Sequence, residues 1–255
     1  MHCIRRHVLR CVLIAPARAP RSPAILVALG VLIISGSAAA TTVALQNDTA
    51  DFSQSSFGGL IISKTTDGDF TGSNGWGIDP QEGAPHTGVW ETQIDLGPGT
   101  FTFEIYHNWV NTGSHGLGRF RWSVTADDRS TFADGLATGG DVTANWTVLT
   151  PLNATANSAI LTIQPDGSIL ASGPNQAPEL YTITADSVLA GITGIRLEAL
   201  TDASLPFNGP GRQEVNGNFV LTEIVVDHVD ANVIPLPAAP WLALPLLCVK
   251  RPRRL

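Results

Sequence analysis

The chain has 255 residues, with 22 acidic and 15 basic side chains and a formal charge of −7 at pH 7. Nine of the basic residues lie before residue 41 or after residue 230, whereas all 22 acidic residues lie between Thr41 and Asp230. The central part therefore has six basic against 22 acidic side chains, a formal charge of −16, which argues against nucleic acid as a partner. The cysteines, Cys3, Cys11 and Cys248, are all terminal, so the central part has no disulfide and no thiol nucleophile.

Residues 1–40 are predicted to be a signal peptide. Five arginines precede an apolar run from Ala24 to Ile34, and the small residues from Ser37 to Ala40 suit a signal peptidase. We expect cleavage after Ala40. A transmembrane helix is the alternative, but the apolar run is shorter than the roughly 20 residues that a spanning helix needs.

Residues 41–230 are predicted to form one all-β module. In the segment from Arg119 to Val124, the apolar side chains alternate with polar ones, as in a half-buried strand. No convincing helical periodicity follows Ala40, so we predict a single antiparallel β-sandwich, with a barrel as the alternative. The predicted strand runs are Thr100 to Tyr106, Gly118 to Thr125, Ala159 to Gln164, Leu180 to Ala185, Gly194 to Ala199 and Phe219 to Asp227.

An acidic turn, Asp67-Gly68-Asp69, precedes Trp76. Its two carboxylates and the polar side chains that follow, Asn74 among them, are hard oxygen ligands on a turn that can wrap a divalent cation. A turn with solvated carboxylates is the alternative interpretation. We assign Trp76, Trp90 and Trp122 to the core.

A second polar cluster suits ligand binding. Aromatic rings stack on sugars, and neighbouring polar groups orient the hydroxyls. Trp109 and Trp146 have an alternative interpretation as core or edge residues. The predicted ligand-binding residues are Tyr106, His107, Asn108, Trp109, His115 and Arg119.

No catalytic set is evident. The sequence has no Gly-x-Ser-x-Gly elbow, zinc-protease helix or phosphate-binding glycine loop. Glu91 and Asp95 share one face of a predicted strand, but positions four apart lie about 13 Å apart, whereas a retaining glycosidase pair needs about 5 Å. We therefore predict that the chain is not an enzyme. Arg212 either bridges loop carbonyls and a carboxylate or presents its guanidinium to an acidic sugar.

Residues 231–255 are predicted to be a sorting tail. The motif Ile234-Pro235-Leu236-Pro237-Ala238 precedes a short apolar run to Val249 and a basic end. The run is too short to span a bilayer comfortably, so only transient membrane association is expected. The tail resembles PEP-CTERM sorting signals of the VPLPA type, which implies processing by an exosortase-type enzyme and an exported bacterial protein.

The module itself also resembles a known family, over about residues 44–227. It is similar to a module of cytochrome-type surface proteins of planctomycete-like bacteria, which implies a discoidin-type, galactose-binding-like jelly roll, usually non-catalytic and often carbohydrate-binding. The segments that carry the resemblance are Ala50 to Gln54, Asp67 to Asp69, Gly75 to Ile78, His86 to Glu91, Gly118 to Arg121, Asp166 to Leu170, Gly191 to Glu198, Gly209 to Arg212 and Gly217 to Glu223.

The resemblance further implies a structural calcium ion, because this family commonly holds one between an Asp-Gly loop and a Glu on the final strand. The residues in those positions are Asp67, Asp69, Asn74 and Glu223. We therefore expect a cell-surface or extracellular module that binds polysaccharide of the envelope or matrix. The alternative is a structural or adhesive surface protein with protein partners.

Overall fold

The computed structural model describes residues 39–56, 58–111 and 113–232. Within these ranges the chain forms 14 β-strands and three short 3-10 turns, and no α-helix. The strands are β1 (Thr41–Thr42), β2 (Leu45–Ala50), β3 (Trp76–Gly77), β4 (His86–Leu96), β5 (Gly99–His107), β6 (Arg119–Thr125), β7 (Thr147–Val148), β8 (Thr150–Ala156), β9 (Ile160–Ile163), β10 (Ile169–Ser172), β11 (Glu179–Ser187), β12 (Ile192–Leu200), β13 (Val220–Leu221) and β14 (Glu223–Asp230).

The predicted terminal signals cannot be compared with this fold. The predicted signal peptide, except for Ala39 and Ala40, and the predicted sorting motif from Ile234 to Ala238 lie outside the described residues. In the part that the structure describes, no helix is long and apolar enough to cross a membrane.

The strands form two large sheets and one small one. A five-stranded sheet has the order β1-β14-β5-β11-β8, and a seven-stranded sheet has the order β2-β4-β12-β6-β10-β9, with β7 also paired to β6. The short strands β13 and β3 pair separately. All these strand pairings are antiparallel, so the predicted all-β, antiparallel class is confirmed.

The core lies between the two large sheets. Every second residue of β5 is buried, as expected for a strand with one face inward. Phe103 on β5 stacks on Trp122 of β6, with 4.2 Å between ring centroids, and Phe120 stacks on Tyr181 of the opposite sheet. These contacts join the sheets face to face, as in a β-sandwich.

The predicted core tryptophans are buried. Trp76 and Trp90 are fully buried and Trp122 is 2% exposed. Trp76 makes an edge contact with Phe219, at 5.1 Å between centroids, where β3 and β13 pair. The small sheet therefore brings the final part of the chain against the segment that follows the acidic turn.

A long loop covers part of the outer face of the seven-stranded sheet. It joins β6 to β7, and its Phe132 and Trp146 pack near Val89 of β4. The guanidinium of Arg196 lies 5.2 Å from the Trp146 ring centroid, within cation–π range. Trp146, for which the sequence left a binding role open, thus contributes to the packing of this loop.

Candidate binding site

The six predicted ligand-binding residues do not form one exposed face. His107, Trp109 and His115 are buried, and the other three are half-buried. Because neighbouring residues of a strand point to opposite faces, Tyr106 and His107 cannot face the same ligand. The structure divides the six among four environments.

Trp109 and His115 border a cavity. Trp109 is only 3% exposed and packs with Leu60 and Val220, and its ring centroid lies 6.5 Å from that of His115. The cavity has a volume of about 350 Å³ and opens to solvent. Trp109 therefore contributes part of the cavity wall and no free stacking face.

The rest of the cavity wall is rich in amides. Four amide side chains border the cavity, together with the carboxylate of Asp79. These amides come from segments more than 150 residues apart in the chain, so sequence reasoning missed them. They are Gln54, Gln213, Asn216 and Asn218.

Hydrogen bonds within the wall fix the orientation of these amides. Asn218 donates through Nδ2 to Oε1 of Gln54 over 3.1 Å, while its Oδ1 accepts from the backbone N–H of Ile78 over 3.0 Å. Oε1 of Gln213 accepts from the backbone N–H groups of Val215 and Asn216. The polar groups of the cavity are therefore held in place before any ligand enters.

His107 is a core residue. Its Nε2 accepts a hydrogen bond from the backbone N–H of Leu117 over 3.2 Å. Complete burial, assisted by the charge of Arg212, lowers the pKa of His107 to about 3, so the ring is neutral at pH 7. A group so enclosed is not available to orient a sugar.

Tyr106 and Asn108 contact the acidic turn. The Tyr106 hydroxyl donates to Oε2 of Glu104 over 2.7 Å, and its ring meets the edge of Phe70 at 4.8 Å between centroids. Asn108 donates through Nδ2 to the carbonyl of Phe70 over 2.9 Å. Both residues therefore support the loop that follows Asp69.

Arg119 lies elsewhere, at the start of β6. Its guanidinium donates to Asp166 over 2.7 Å and to Ser168 over 3.0 Å, and it lies 3.5 Å from Asp202. These partners occupy the guanidinium in joining two loops. Arg119 is not among the residues that border the cavity.

The four predicted calcium ligands do come together. Asn74 donates through Nδ2 to Asp67 over 3.1 Å and to Asp69 over 3.2 Å. The backbone N–H of Gly68, between the two aspartates, lies 3.3 Å from Oε2 of Glu223 at the start of β14. The family resemblance implied this set, although its members span more than 150 residues.

The cluster is strongly acidic. Burial raises the pKa of Glu223 to about 7, and the charges of Asp67, Asp48 and Asp69 raise it further against the opposing Gly68 hydrogen bond. Burial also raises the pKa of Asp48, a residue that sequence reasoning missed. No local pattern marks Asp48, because it joins the cluster only when β2 packs near the acidic turn.

Two oxygens of this cluster have no hydrogen-bond partner. Oδ1 of Asp48 and Oδ1 of Asn74 are both buried, and neither accepts a hydrogen bond from any described residue. Lys64 Nζ lies 3.4 Å from Asp67 and partly balances the charge. Across the described ranges, no three His, Cys, Asp or Glu side chains are already arranged as a metal site.

The remaining polar candidates have separate partners. Glu91 accepts hydrogen bonds from Gln46 and Asn47, each over 2.8 Å, whereas Asp95 pairs with Arg129 over 2.8 Å. Glu91 and Asp95 therefore do not act as a pair.

Arg212 is buried and donates to the carbonyl of Gly173 over 2.6 Å and to the Tyr181 hydroxyl over 3.3 Å. Among the described residues it has no carboxylate partner within ion-pair distance. The structure therefore favours a structural role for Arg212 over the presentation of its guanidinium to an acidic sugar. The carboxylate that we expected as one of its partners is not among the contacts above.

The chain has a weak similarity to solved structures. No family model and no curated protein matches the chain. A solved chain of the Streptococcus pneumoniae β-galactosidase BgaA has a TM-score of 0.42 and 10% sequence identity, and the match covers 71% of this chain and 89% of that chain. At this degree of similarity the comparison carries no argument about function.

Proposed function

We propose that this chain is an exported, non-catalytic, galactose-binding-like module that binds polysaccharide of the cell envelope or matrix. The observation that carries the proposal is the cavity that combines Trp109 and His115 with fixed amide groups. The N-terminal and C-terminal sequence patterns support export, removal of the leader by signal peptidase and sorting by an exosortase-type enzyme. The protein would then function at the cell surface or outside the cell.

The chemistry of the cavity suits a sugar. Its volume of about 350 Å³ lies at the lower end of the range for small-molecule sites, about 300–1,000 Å³. Amides both donate and accept hydrogen bonds, as sugar hydroxyls do. Trp109 and His115 add aromatic surface to the cavity wall for contact with a sugar ring.

A glycan array probed with the purified protein tests the proposal. Val215 borders the cavity and is 73% exposed, so Val215→Arg places a long side chain at the cavity mouth without disturbing the core. Val188 is 95% exposed and does not border the cavity, so Val188→Arg is the matched control.

We expect selective binding that Val215→Arg abolishes and Val188→Arg preserves. The conservative change Trp109→Phe should weaken binding while the protein remains folded. Absence of binding to any glycan by the folded protein would overturn the proposal.

We also propose that the acidic cluster holds a structural Ca²⁺ ion, with Asp67, Asp69, Asn74 and Glu223 as ligands. Two observations support this: the mutual repulsion of the carboxylates and the two buried oxygens without partners. A cation relieves the repulsion. In the structure the Nδ2 group of Asn74 points toward the aspartates. Rotation of this amide by 180° would turn Oδ1 toward them, where it could serve as a ligand of the ion.

The second candidate function is a structural or adhesive surface protein that associates with its own copies. The stretch from Val142 to Gln164 contains no charged residue, although the module as a whole has a formal charge of −16. It includes β8 and β9, which form one edge of each large sheet. Leu152 and Ile160 on these strands are 60% and 59% exposed.

A second copy of this chain suits this edge. Two acidic surfaces repel each other, so two copies can approach most easily through the uncharged edge. Light scattering across a concentration series tests the idea. Association that increases with salt and is lost in Ile160→Lys, but not in Val188→Lys, would support self-association. A monomer at all concentrations would exclude it.

A further inference from the structure

We propose that the cavity selects a saccharide that carries a protonated amine, such as a deacetylated hexosamine unit, and that Asp79 and Glu82 receive the amine. This inference rests on the proposed function, because it concerns the ligand of the same cavity. It is carried by the arrangement of two carboxylates around one amide at the cavity wall.

Asn216 joins the two carboxylates. Its Nδ2 donates to Oδ1 of Asp79 over 3.4 Å and makes a short hydrogen bond to Oε1 of Glu82. Asp79 and Asn216 border the cavity, and Glu82 is connected to it through its hydrogen bond with Asn216. In the part of the chain that the structure describes, neither carboxylate belongs to an ion pair. One neutral amide thus serves two acidic groups.

Among the described residues, no ion pair balances the negative charge of these two carboxylates. Burial raises the pKa of Glu82, and the hydrogen bond and the charge of the neighbouring Asp79 raise it further. The effect of the Asp79 charge reflects the cost of holding a second carboxylate charge close to the first. A cation placed between the two carboxylates would remove that cost, and the amide that they share would be free to bind a hydroxyl.

Other charged or titratable groups near the cavity do not supply this cation. Burial lowers the pKa of His115, which is therefore neutral at pH 7. Against the effect of burial, the hydrogen bonds of His86 with Asp51 and the carbonyl of Gln81 raise its pKa, and the charge of Glu82 contributes to this rise. Both ring nitrogens of His86 are nevertheless directed away from the carboxylate pair, Nδ1 to Asp51 at 3.3 Å and Nε2 to the carbonyl of Gln81 at 2.9 Å.

Two charged residues flank Gln213 of the cavity wall in sequence, and neither reverses the sign of the site. Arg212 directs its guanidinium to the Tyr181 hydroxyl and the carbonyl of Gly173. Glu214 is exposed and adds further negative charge. No Lys or Arg is among the described residues that border the cavity.

The expected ligand class follows from this charge. A uronic acid or sulfated sugar brings a second negative charge and is repelled, and an N-acetylated sugar is neutral. A protonated amine makes charge-assisted hydrogen bonds, which are roughly twice as strong as neutral ones. The cavity should therefore rank amino sugars above acetylated sugars, and acetylated sugars above uronic acids.

Calorimetric titration of the purified full chain with short oligosaccharides tests this ranking. The probes are glucosamine, N-acetylglucosamine and galacturonate oligomers of equal length, at pH 6.5 in about 150 mM salt, which screens nonspecific attraction to an acidic protein. We expect the glucosamine oligomer to bind at least tenfold more tightly than the acetylated one. Asp79→Asn and Glu82→Gln should each reduce that ratio to about threefold or less.

Glu214→Gln is the matched control, because it removes the same single charge from an exposed position beside the cavity. It should leave the ratio unchanged; an equal loss in this variant would mean general attraction to an acidic surface and would overturn the inference. A preference for the acetylated or the acidic oligomer would also overturn the inference while leaving the proposed function intact. Binding of no saccharide at all would overturn both.

Discussion

The substitution Glu223→Gln should stabilise the protein at high pH in the absence of calcium. Glu223 is only 4% exposed, and its pKa in the folded protein is about 7 instead of the ordinary 4.5. A difference of about 2.5 corresponds to about 3.4 kcal/mol at about 1.36 kcal/mol per pH unit. The glutamine has the same shape and can still accept the hydrogen bond of Gly68.

The sign follows from proton binding. Below pH 4.5 the carboxyl is protonated in both the folded and the unfolded chain, and it imposes no penalty. Between pH 4.5 and 7 the unfolded chain loses the proton first, so the contribution of Glu223 to the free energy of unfolding falls as the pH rises. Above pH 7 the full penalty applies, and the variant should exceed the original protein in stability by up to about 3 kcal/mol.

Calcium should reverse this order. An ion bound by the Glu223 carboxylate stabilises the folded state by about 4.1 kcal/mol when its concentration is about one thousand times the dissociation constant, which exceeds the penalty of about 3.4 kcal/mol. The variant has lost the charged ligand, so it should gain much less. The original protein should then be at least as stable as the variant at pH 8.

Urea unfolding followed by tryptophan fluorescence, from pH 4 to 9, measures both effects. One series contains a chelator and the other contains millimolar Ca²⁺. Glu214→Gln, at an exposed position, is the control and should follow the original protein. A difference between Glu223→Gln and the original protein that does not change with pH would refute the electrostatic argument. Equal stabilisation of the two by calcium would refute the ion site.

Three further predictions concern the fold. Phe103→Ala should lower the free energy of unfolding by about 3–5 kcal/mol in urea titrations, because it empties a fully buried position between the sheets. Gly211→Ala should destabilise the protein severely, because a Cβ there would lie 2.1 Å from the backbone carbonyl oxygen of Asn218. As the control, Gly135→Ala has open space around the new Cβ, so it should lower the free energy of unfolding by only about 1 kcal/mol, because of the positive φ at that position. The contribution of His107 to stability, opposite in sign to that of Glu223, should fall as the pH drops below about 6.5, because the unfolded chain then protonates His107 while the folded chain does not, and His107→Gln should remove this contribution in the same titrations.

Two of the strands that the sequence predicted show why alternation is informative. The run from Thr100 to Tyr106 falls within β5, and that from Gly194 to Ala199 falls within β12, because both have an alternating pattern. The paired strands β3 and β13 have only two residues each, which is too short to show an alternating pattern. Their place in the fold depends on the burial of Trp76 against Phe219, a contact between distant segments.

Strand geometry explains why the predicted ligand-binding residues do not form one exposed face. Tyr106 and His107 are consecutive at the end of β5, so one points outward and the other into the core. Beyond His107 the strand ends and alternation no longer applies, so the burial of Trp109 between Leu60 and Val220 could not be derived. The amides of the cavity wall were also beyond prediction, because they come from distant loops.

The acidic cluster and the cavity are joined by one short segment. Val220 borders the cavity, and Glu223, three residues later, belongs to the acidic cluster. Between them Thr222 ties both to the end of β5: its N–H donates to the carbonyl of Tyr106 over 2.8 Å, and its hydroxyl accepts from the backbone N–H of Asn108 over 2.9 Å. Loss of calcium should therefore weaken sugar binding indirectly, by loosening this segment, and Glu223→Gln should reduce that sensitivity to a chelator in the same calorimetric titrations.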